Sequence, residues 1–212
     1  MNLIVYGAGG MGKELMWQIS SQLGDKYNIL GFVDDSADKL GTVINGYKVI
    51  GNTEWLLSYN EPVSVAVAVG DSNARERVVT TLRKNNNITF PNIISDDVIM
   101  SDFVEMGEGN IICFGSIITV NVKIGNFMLC NRCCNIGHDC VIGDYVTINP
   151  TVTLSGNVSV GDKVNIGTGT VVIQGKSIGE GTVIGAGAAV VSDIPANCTS
   201  VGVPAKPIKF HN

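Results

Sequence analysis

Histidine is nearly missing from this chain: 212 residues hold two, His138 and His211. His211 is next to last and expected to be mobile. That leaves His138 as the imidazole available for acid–base work. Basic runs are missing too. With a net charge of −5 and a pI near 4.9, nothing marks a nucleic-acid surface, and nucleic acid is not expected as a partner. No apolar stretch approaches the ~18 residues that a membrane span requires. The opening MNLIVYGAGG has no basic segment ahead of its short apolar run. It reads as a strand rather than a secretory signal, so a cytoplasmic location is expected.

What the chain does contain is a repeat. From Ile94 to Val190 an apolar residue stands at every sixth position: Ile94, Met100, Met106, Ile112, Ile118, Ile124, Cys130, Ile136, Ile142, Ile148, Leu154, Val160, Ile166, Val172, Ile178, Ile184 and Val190. At 45% apolar composition, chance would fill one such frame about once in a million. Gly follows the apolar residue at 107, 125, 137, 143, 161, 167, 179 and 185, and small or β-branched residues recur two places before it. Neither the 3.6 period of a helix nor the 2 of a flat strand explains six. A short strand plus a corner does, and the Gly is expected to let the backbone turn. Three strands close a triangular coil of eighteen residues, which the Gly positions 107, 125, 143, 161 and 179 match. Stacked ~4.8 Å apart as parallel strands, some five coils make a prism roughly 25 Å tall. The pattern is that of a hexapeptide-repeat parallel β-helix.

Cysteine is the temptation in this region. Cys130, Cys133, Cys134 and Cys140 crowd around His138 as metal ligands might. The six-residue frame puts Cys130 in an inward apolar slot and Cys134 and Cys140 in inward small slots. They are expected in the core, facing away from His138, with no metal site and no disulfide.

The first ninety residues alternate strand and helix: Leu3 to Tyr6, a helix from the glycines through about Leu23, Ile29 to Val33, a polar loop, a helical turn near Glu54, Ser64 to Val69, and a helix from Asn73 to Asn85. This is a Rossmann-like βαβ arrangement. Three units are therefore expected: an α/β domain over 1–92, the β-helix over 93–193, and a tail over 194–212 that leaves the repeat and either folds back along a face or covers its last coil. Gly7, Gly9 and Gly12 form G-x-G-x-x-G between a strand and a helix, with Asp34 and Asp35 about twenty residues on. The glycine motif alone is weak, and glycines of a tight turn with no ligand are an open alternative. In context, Gly lets backbone approach a phosphate at a helix N-terminus, and the acids can accept from a ribose or base. The domain has room for one mononucleotide half, so a single nucleotide fits better than NAD.

His138 lies in N-I-G-H-D-C. Two residues past inward Ile136, it should point outward at a corner, and Asp139, before inward Cys140, should do the same. An outward His beside a carboxylate is what a general base needs. A bare surface histidine is the equal alternative on pattern alone. Cys133 is the outward thiol nearby that a covalent route would need.

Several features together resemble one family. They are the hexads with their I-G steps, the ending IGAGAAVVSDIPANCTSVGVPAKPI, the H-D at 138–139, and the N-terminal GAGGMG with D-D. The chain looks like a member of the sialic acid O-acetyltransferase (NeuD) and nucleotide-aminosugar N-acetyltransferase (PglD-like) family, over essentially its whole length. The resemblance implies a left-handed β-helix and a homotrimer with active sites between neighbouring subunits. Its co-substrate would be acetyl-CoA, without metal. His138 matches the catalytic histidine and Asp139 its acidic partner. The coenzyme would lie near Gly156, Gly167, Thr168 and Ala186. A nucleotide-sugar acceptor would meet Gly9, Gly10, Met11, Asp34 and Asp35, with Gly70 and Asn73 in V-G-D-S-N beside it. Two positions depart from many members: Met11 and Thr147 stand where those have histidine. The expected activity is acetyl transfer to a sugar amine or hydroxyl, with His138 as general base. A non-catalytic trimeric nucleotide-sugar binder and an acetyltransferase for a non-sugar acceptor are the alternatives. A zinc-dependent β-helix enzyme would need three histidines, which the helix does not have.

Overall fold

The computed structural model describes residues 1–211. It divides into two compact units, the first Met1–Asp96 and the second from Asp97 onward. Among the described residues no helix is long and apolar enough to cross a membrane.

The first unit is an α/β sandwich. Its elements are β1 (Asn2–Tyr6), α1 (Gly10–Gln22), β2 (Asn28–Val33), β3 (Val43–Ile44), β4 (Tyr47–Gly51), α2 (Thr53–Leu57), β5 (Val63–Val67), α3 (Ser72–Leu82) and β6 (Ile88–Thr89). The sheet order is β3-β4-β2-β1-β5-β6. Strand β1 pairs in parallel with both β2 and β5, as right-handed βαβ crossovers require. Its continuous apolar run, Leu3, Ile4 and Val5, is fully buried because both faces of a parallel sheet are covered. Each such side chain contributes about 1.5–3 kcal/mol. The stretch expected to be a polar loop instead holds a hairpin, with β3 antiparallel to β4. Its turn is Asn45-Gly46, with φ of 49° and 86°. This is the dipeptide that two-residue hairpins favour, and it was legible in the sequence.

The second unit is the left-handed parallel β-helix. One face carries Ile99–Met100, Ile117–Ile118, Asn135–Ile136, Thr153–Leu154, Val171–Val172 and Ala189–Val190. The second runs from Glu105–Met106 to Ser177–Ile178, and the third includes Leu129–Cys130, Thr147–Ile148, Asn165–Ile166 and Val183–Ile184. Register between coils is eighteen residues, as in Ile118↔Ile136↔Leu154↔Val172↔Val190. From Ile112 onward every residue of the sixfold series is buried, whereas Ile94, Met100 and Met106 stay partly exposed.

The corner works differently from expectation. The glycine after the inward residue does not make the turn. A residue two places later does, with φ near +60° at Asn121, Phe127, Cys133, Asp139, Tyr145, Thr151, Asn157 and Lys163. The glycine serves close stacking instead: a Cβ on Gly137 would stand 2.8 Å from the Gly156 nitrogen of the next coil. Nor does the tail leave the solenoid when it leaves the hexad spacing. Ile194 bridges Ile178, and Cys198–Val201 pairs in parallel with Val183–Ile184 in a coil shortened to sixteen residues. Lys206–Phe210 then pairs antiparallel with Cys198–Val201. His211, expected to be free of the fold, lies with Nε2 2.9 Å from Thr199 Oγ1 and its backbone N–H donated to Asn197 O.

Candidate functional site

His138 and Asp139 follow Ile136 around a corner. Asp139 occupies the left-handed slot with φ of 59°, a conformation that Asp tolerates better than most residues. The turn throws both side chains outward, each 52% exposed, and brings His138 Nδ1 to 2.8 Å from Asp139 Oδ2. The other carboxylate oxygen, Oδ1, accepts from Asn121 Nδ2 at 3.2 Å. The His138 and then the Asn121 hydrogen bonds hold the Asp139 carboxyl below its ordinary value. The ionised carboxylate can only accept, so in the neutral form of the ring Nδ1 carries the proton and Nε2 the lone pair. That is the tautomer a general base requires.

The imidazole has a seat. One coil on, Gly156 lies beneath it. A Cβ there would come 2.3 Å from Nε2 and 2.4 Å from Cε1. Of the coenzyme residues named from sequence, Gly156 alone shares the corner of His138. Gly167, Thr168 and Ala186 lie at the corner after Asn165–Ile166 and Val183–Ile184, on another face of the prism. There Thr168 and Ala186 are exposed, and Gly187 N–H donates to Thr168 O. Cys133 is exposed but turns the corner after Leu129–Cys130, not that of His138. Cys130, Cys134 and Cys140 are buried, as the frame requires, and burial pushes the Cys140 thiol up. A cavity of about 340 Å³ lies one coil before the dyad, lined by Asp102, Phe103, Glu105, Asn121 and Lys123. The sequence reading did not single it out, although Phe103 stands eighteen residues before Asn121 at the same corner.

In the first unit the glycine motif divides its work. Gly7, with φ of 99°, makes the turn after β1, and a Cβ on Gly12 would stand 1.8 Å from the Gly7 carbonyl. Gly9, Gly10 and Gly70 face open space. Asn52 and Asp71 cap α2 and α3 through their side chains, but Gly9 offers α1 no side-chain cap. That leaves amide groups at its N-terminus directed outward, an arrangement suited to an anion. Met11 is partly exposed in that first turn and Asn73 is exposed in the first turn of α3.

The acidic pair is more committed than expected. Asp34 accepts from Ala8 N–H at 2.7 Å, Lys39 Nζ at 3.0 Å and Ser36 N–H at 2.9 Å. Asp35 accepts from Thr53 N–H, Thr53 Oγ1 and the Tyr6 hydroxyl, each at 2.8 Å. Both carboxylates thus brace the loop ends. Asp35 also lines a cavity of about 500 Å³ with Tyr6, Asn52, Thr53, Arg77 and Thr81. Gly9, Gly10, Met11, Asp34, Gly70 and Asn73 lie outside its lining. Fully buried Arg75, which sequence reasoning passed over, holds the V-G-D-S-N loop from within: Nη1 donates to Val69 O at 2.5 Å and to Gly70 O at 3.2 Å.

Burial works to raise the Asp34 carboxyl, but its hydrogen bonds from Ala8, Ser36 and Lys39 outweigh that and bring it down from 3.8 to about 2. A folded value below the unfolded one stabilises the fold above the unfolded value, and the contribution is lost as pH falls through the folded one. Wild-type urea midpoints are therefore expected to drop between pH 4 and about pH 2. Asp34→Asn should be less stable at pH 7 and show a shallower fall over that interval. An equal slope in both proteins would refute it.

Residues 2–82 match the PglD N-terminal domain. WeeI from Acinetobacter baumannii AYE is 35% identical, with TM-score 0.87 over 98% of this chain and 100% of that one. The acetyltransferase domain of PglB from Neisseria gonorrhoeae FA1090, in complex with acetyl coenzyme A, is 32% identical, with TM-score 0.90 over 98% of each chain. A mutant of perosamine N-acetyltransferase from Caulobacter crescentus, in complex with CoA and GDP-perosamine, is 29% identical, with TM-score 0.89 over 98% of this chain and 96% of that one. Among curated proteins there is no significant match.

Proposed function

The chain belongs to the PglD-like family of nucleotide-sugar acetyltransferases, and from that premise we propose that it acetylates a nucleotide-linked amino sugar at the expense of acetyl-CoA. The observation that supports this most directly is the Asn121–Asp139–His138 chain seated on Gly156. The amine is favoured over the hydroxyl because a relative with the same two-part fold is named an N-acetyltransferase.

Acetyl-CoA supplies the activated acyl carbon. His138 Nε2 accepts the proton of the attacking amine as the new C–N bond forms. Asp139 stabilises the imidazolium, and the proton then passes to the departing sulfur as the C–S bond breaks. Backbone N–H groups at this coil corner, Gly156 among them, would donate to the oxygen on which charge develops. The cavity lined by Phe103 and Lys123 would receive the sugar one coil before His138. Within the first unit, the uncapped N-terminus of α1 would suit the phosphate groups of a nucleotide.

Gly167, Thr168 and Ala186 occupy a different corner from His138, so one chain alone does not gather both halves of a coenzyme site. A homotrimer with active sites between neighbouring β-helices would bring the two corners together. Such an enzyme would work in the cytoplasm and need no metal.

The test is acetyl-CoA consumption by purified protein against nucleotide-linked amino sugars, with free sialic acid and neutral sugars alongside. Turnover of a nucleotide-linked amino sugar is expected. Turnover restricted to hydroxyl acceptors would make it an O-acetyltransferase. Binding of a nucleotide-sugar without binding of acetyl-CoA would make it a non-catalytic sensor.

A further inference from the structure

Asn121 stands eighteen residues before Asp139 and occupies the equivalent corner slot, with φ of 58°. Asparagine is at home in that conformation, so its presence alone needs no function. Its side chain does something the slot does not demand, however. It turns along the prism and donates Nδ2–H to Asp139 Oδ1 at 3.2 Å. Asn157, one coil past Asp139 with the same φ of 58°, shows the contrast: its link to the dyad is through the backbone, N–H to His138 O at 2.7 Å. The corner conformation and the side-chain bond are thus separable.

We propose that Asn121 is a positioning residue of the reaction. Its amide holds one carboxylate oxygen of Asp139 so that the other meets His138 Nδ1, which leaves Nε2 free to take the acceptor's proton. The inference rests on the reading of His138 as general base. The carboxylate is half exposed and could otherwise rotate about its terminal torsion, which is broad for Asp. With Oδ1 engaged, Oδ2 stays on the imidazole. Asn121 also lines the cavity beside the dyad, so the groups facing it there are Asp102, Glu105 and Lys123. Glu105 and Lys123 lie 3.8 Å apart and largely offset each other's charge.

Three variants separate the amide from the backbone. Asn121→Gly keeps the left-handed corner and deletes the donor. It is expected to lower kcat about five- to tenfold, the size of one hydrogen bond to a charged group in an exposed setting. KM for acetyl-CoA and Tm should hold. Asn121→Asp keeps the shape but sets a second carboxylate against Asp139. It should shift the acidic limb of the kcat/KM profile to higher pH, because added negative charge favours the protonated imidazole. Asn121→His, which can again donate, should recover part of the loss.

A second readout needs no acceptor. With two histidines in the chain, ¹⁵N spectra of the imidazoles are assignable using His138→Ala. The Nδ1–H tautomer of His138 should predominate in the wild type and lose ground in Asn121→Gly. Wild-type kcat, pH profile and tautomer ratio in Asn121→Gly would overturn the inference while leaving the general-base reading intact. Full activity in His138→Ala would instead remove the reading on which it rests.

Discussion

Replacing His138 with alanine is expected to lower turnover by about 10²–10⁴-fold, the range that a positioned general base contributes, while acetyl-CoA binding measured by calorimetry stays within about twofold of wild type. The ring is half exposed and makes no core contact that the fold depends on. Its polar partner is Asp139, which is equally exposed. Deleting it leaves no buried group unsatisfied, so Tm should move by no more than a surface substitution allows, within about 0.5 kcal/mol. The effect should fall on kcat rather than on KM for the coenzyme, because an interaction made only in the transition state changes kcat and kcat/KM together. Asp139→Asn should give a smaller loss, since the amide can still accept from Nδ1 but no longer balances the imidazolium charge. If His138→Ala turned over at the wild-type rate, the base would have to be sought elsewhere, and the other imidazole of the second unit, His211, is bonded to Thr199 Oγ1.

The repeat was legible because burial in a solenoid is periodic by construction. Every eighteenth residue meets its equivalent one coil along, so sequence spacing and contact are the same thing there. His138 and Asp139 could be set on the outside of a corner for that reason alone, and Cys130, Cys134 and Cys140 on the inside. The glycines serve a different role from the turn their position suggests because two demands fall two residues apart. The positive φ belongs to the Asp139 slot, where polar residues serve, while Gly137 answers to a neighbouring backbone that only coil stacking reveals. In the α/β unit the strands that form the sheet centre were visible as apolar runs. The hairpin at Asn45-Gly46 had a local signal, the turn dipeptide between Val43-Ile44 and Tyr47-Lys48-Val49, that the polar run Asp34–Lys39 ahead of it obscured. The partners of Asp34 and Asp35 had none, because Ala8, Tyr6 and Thr53 come from segments brought together only by the sheet order. Arg75 was hidden for the same reason: its burial depends on the Val69 and Gly70 carbonyls folding over it.

Gly156→Ala is expected to lower turnover about a hundredfold while leaving the protein folded. The added Cβ would stand 2.3 Å from His138 Nε2, 2.4 Å from Cε1 and 2.8 Å from Cδ2. Non-bonded carbon contacts settle near 3.5–4.0 Å, so the ring must move by roughly 1 Å or more. A displacement of that size at a reacting group costs about 10²-fold. Nothing in the backbone resists the substitution, because Gly156 is not among the residues with positive φ and the obstructing atoms belong to a side chain that can swing into solvent. Gly137→Ala supplies the opposite case on the same pair of coils. Its Cβ would meet the Gly156 nitrogen and the Ser155 carbonyl carbon at 2.8 Å, and the Leu154 oxygen at 3.0 Å, all backbone. Relief there means separating two coils, so Tm should fall by several degrees before activity is considered. Thermal melts and initial rates on the two variants therefore divide in opposite senses: one glycine sets the imidazole's seat and the other sets the spacing of the prism. Near-wild-type turnover in Gly156→Ala would show that the ring position over Gly156 is not the one from which His138 acts.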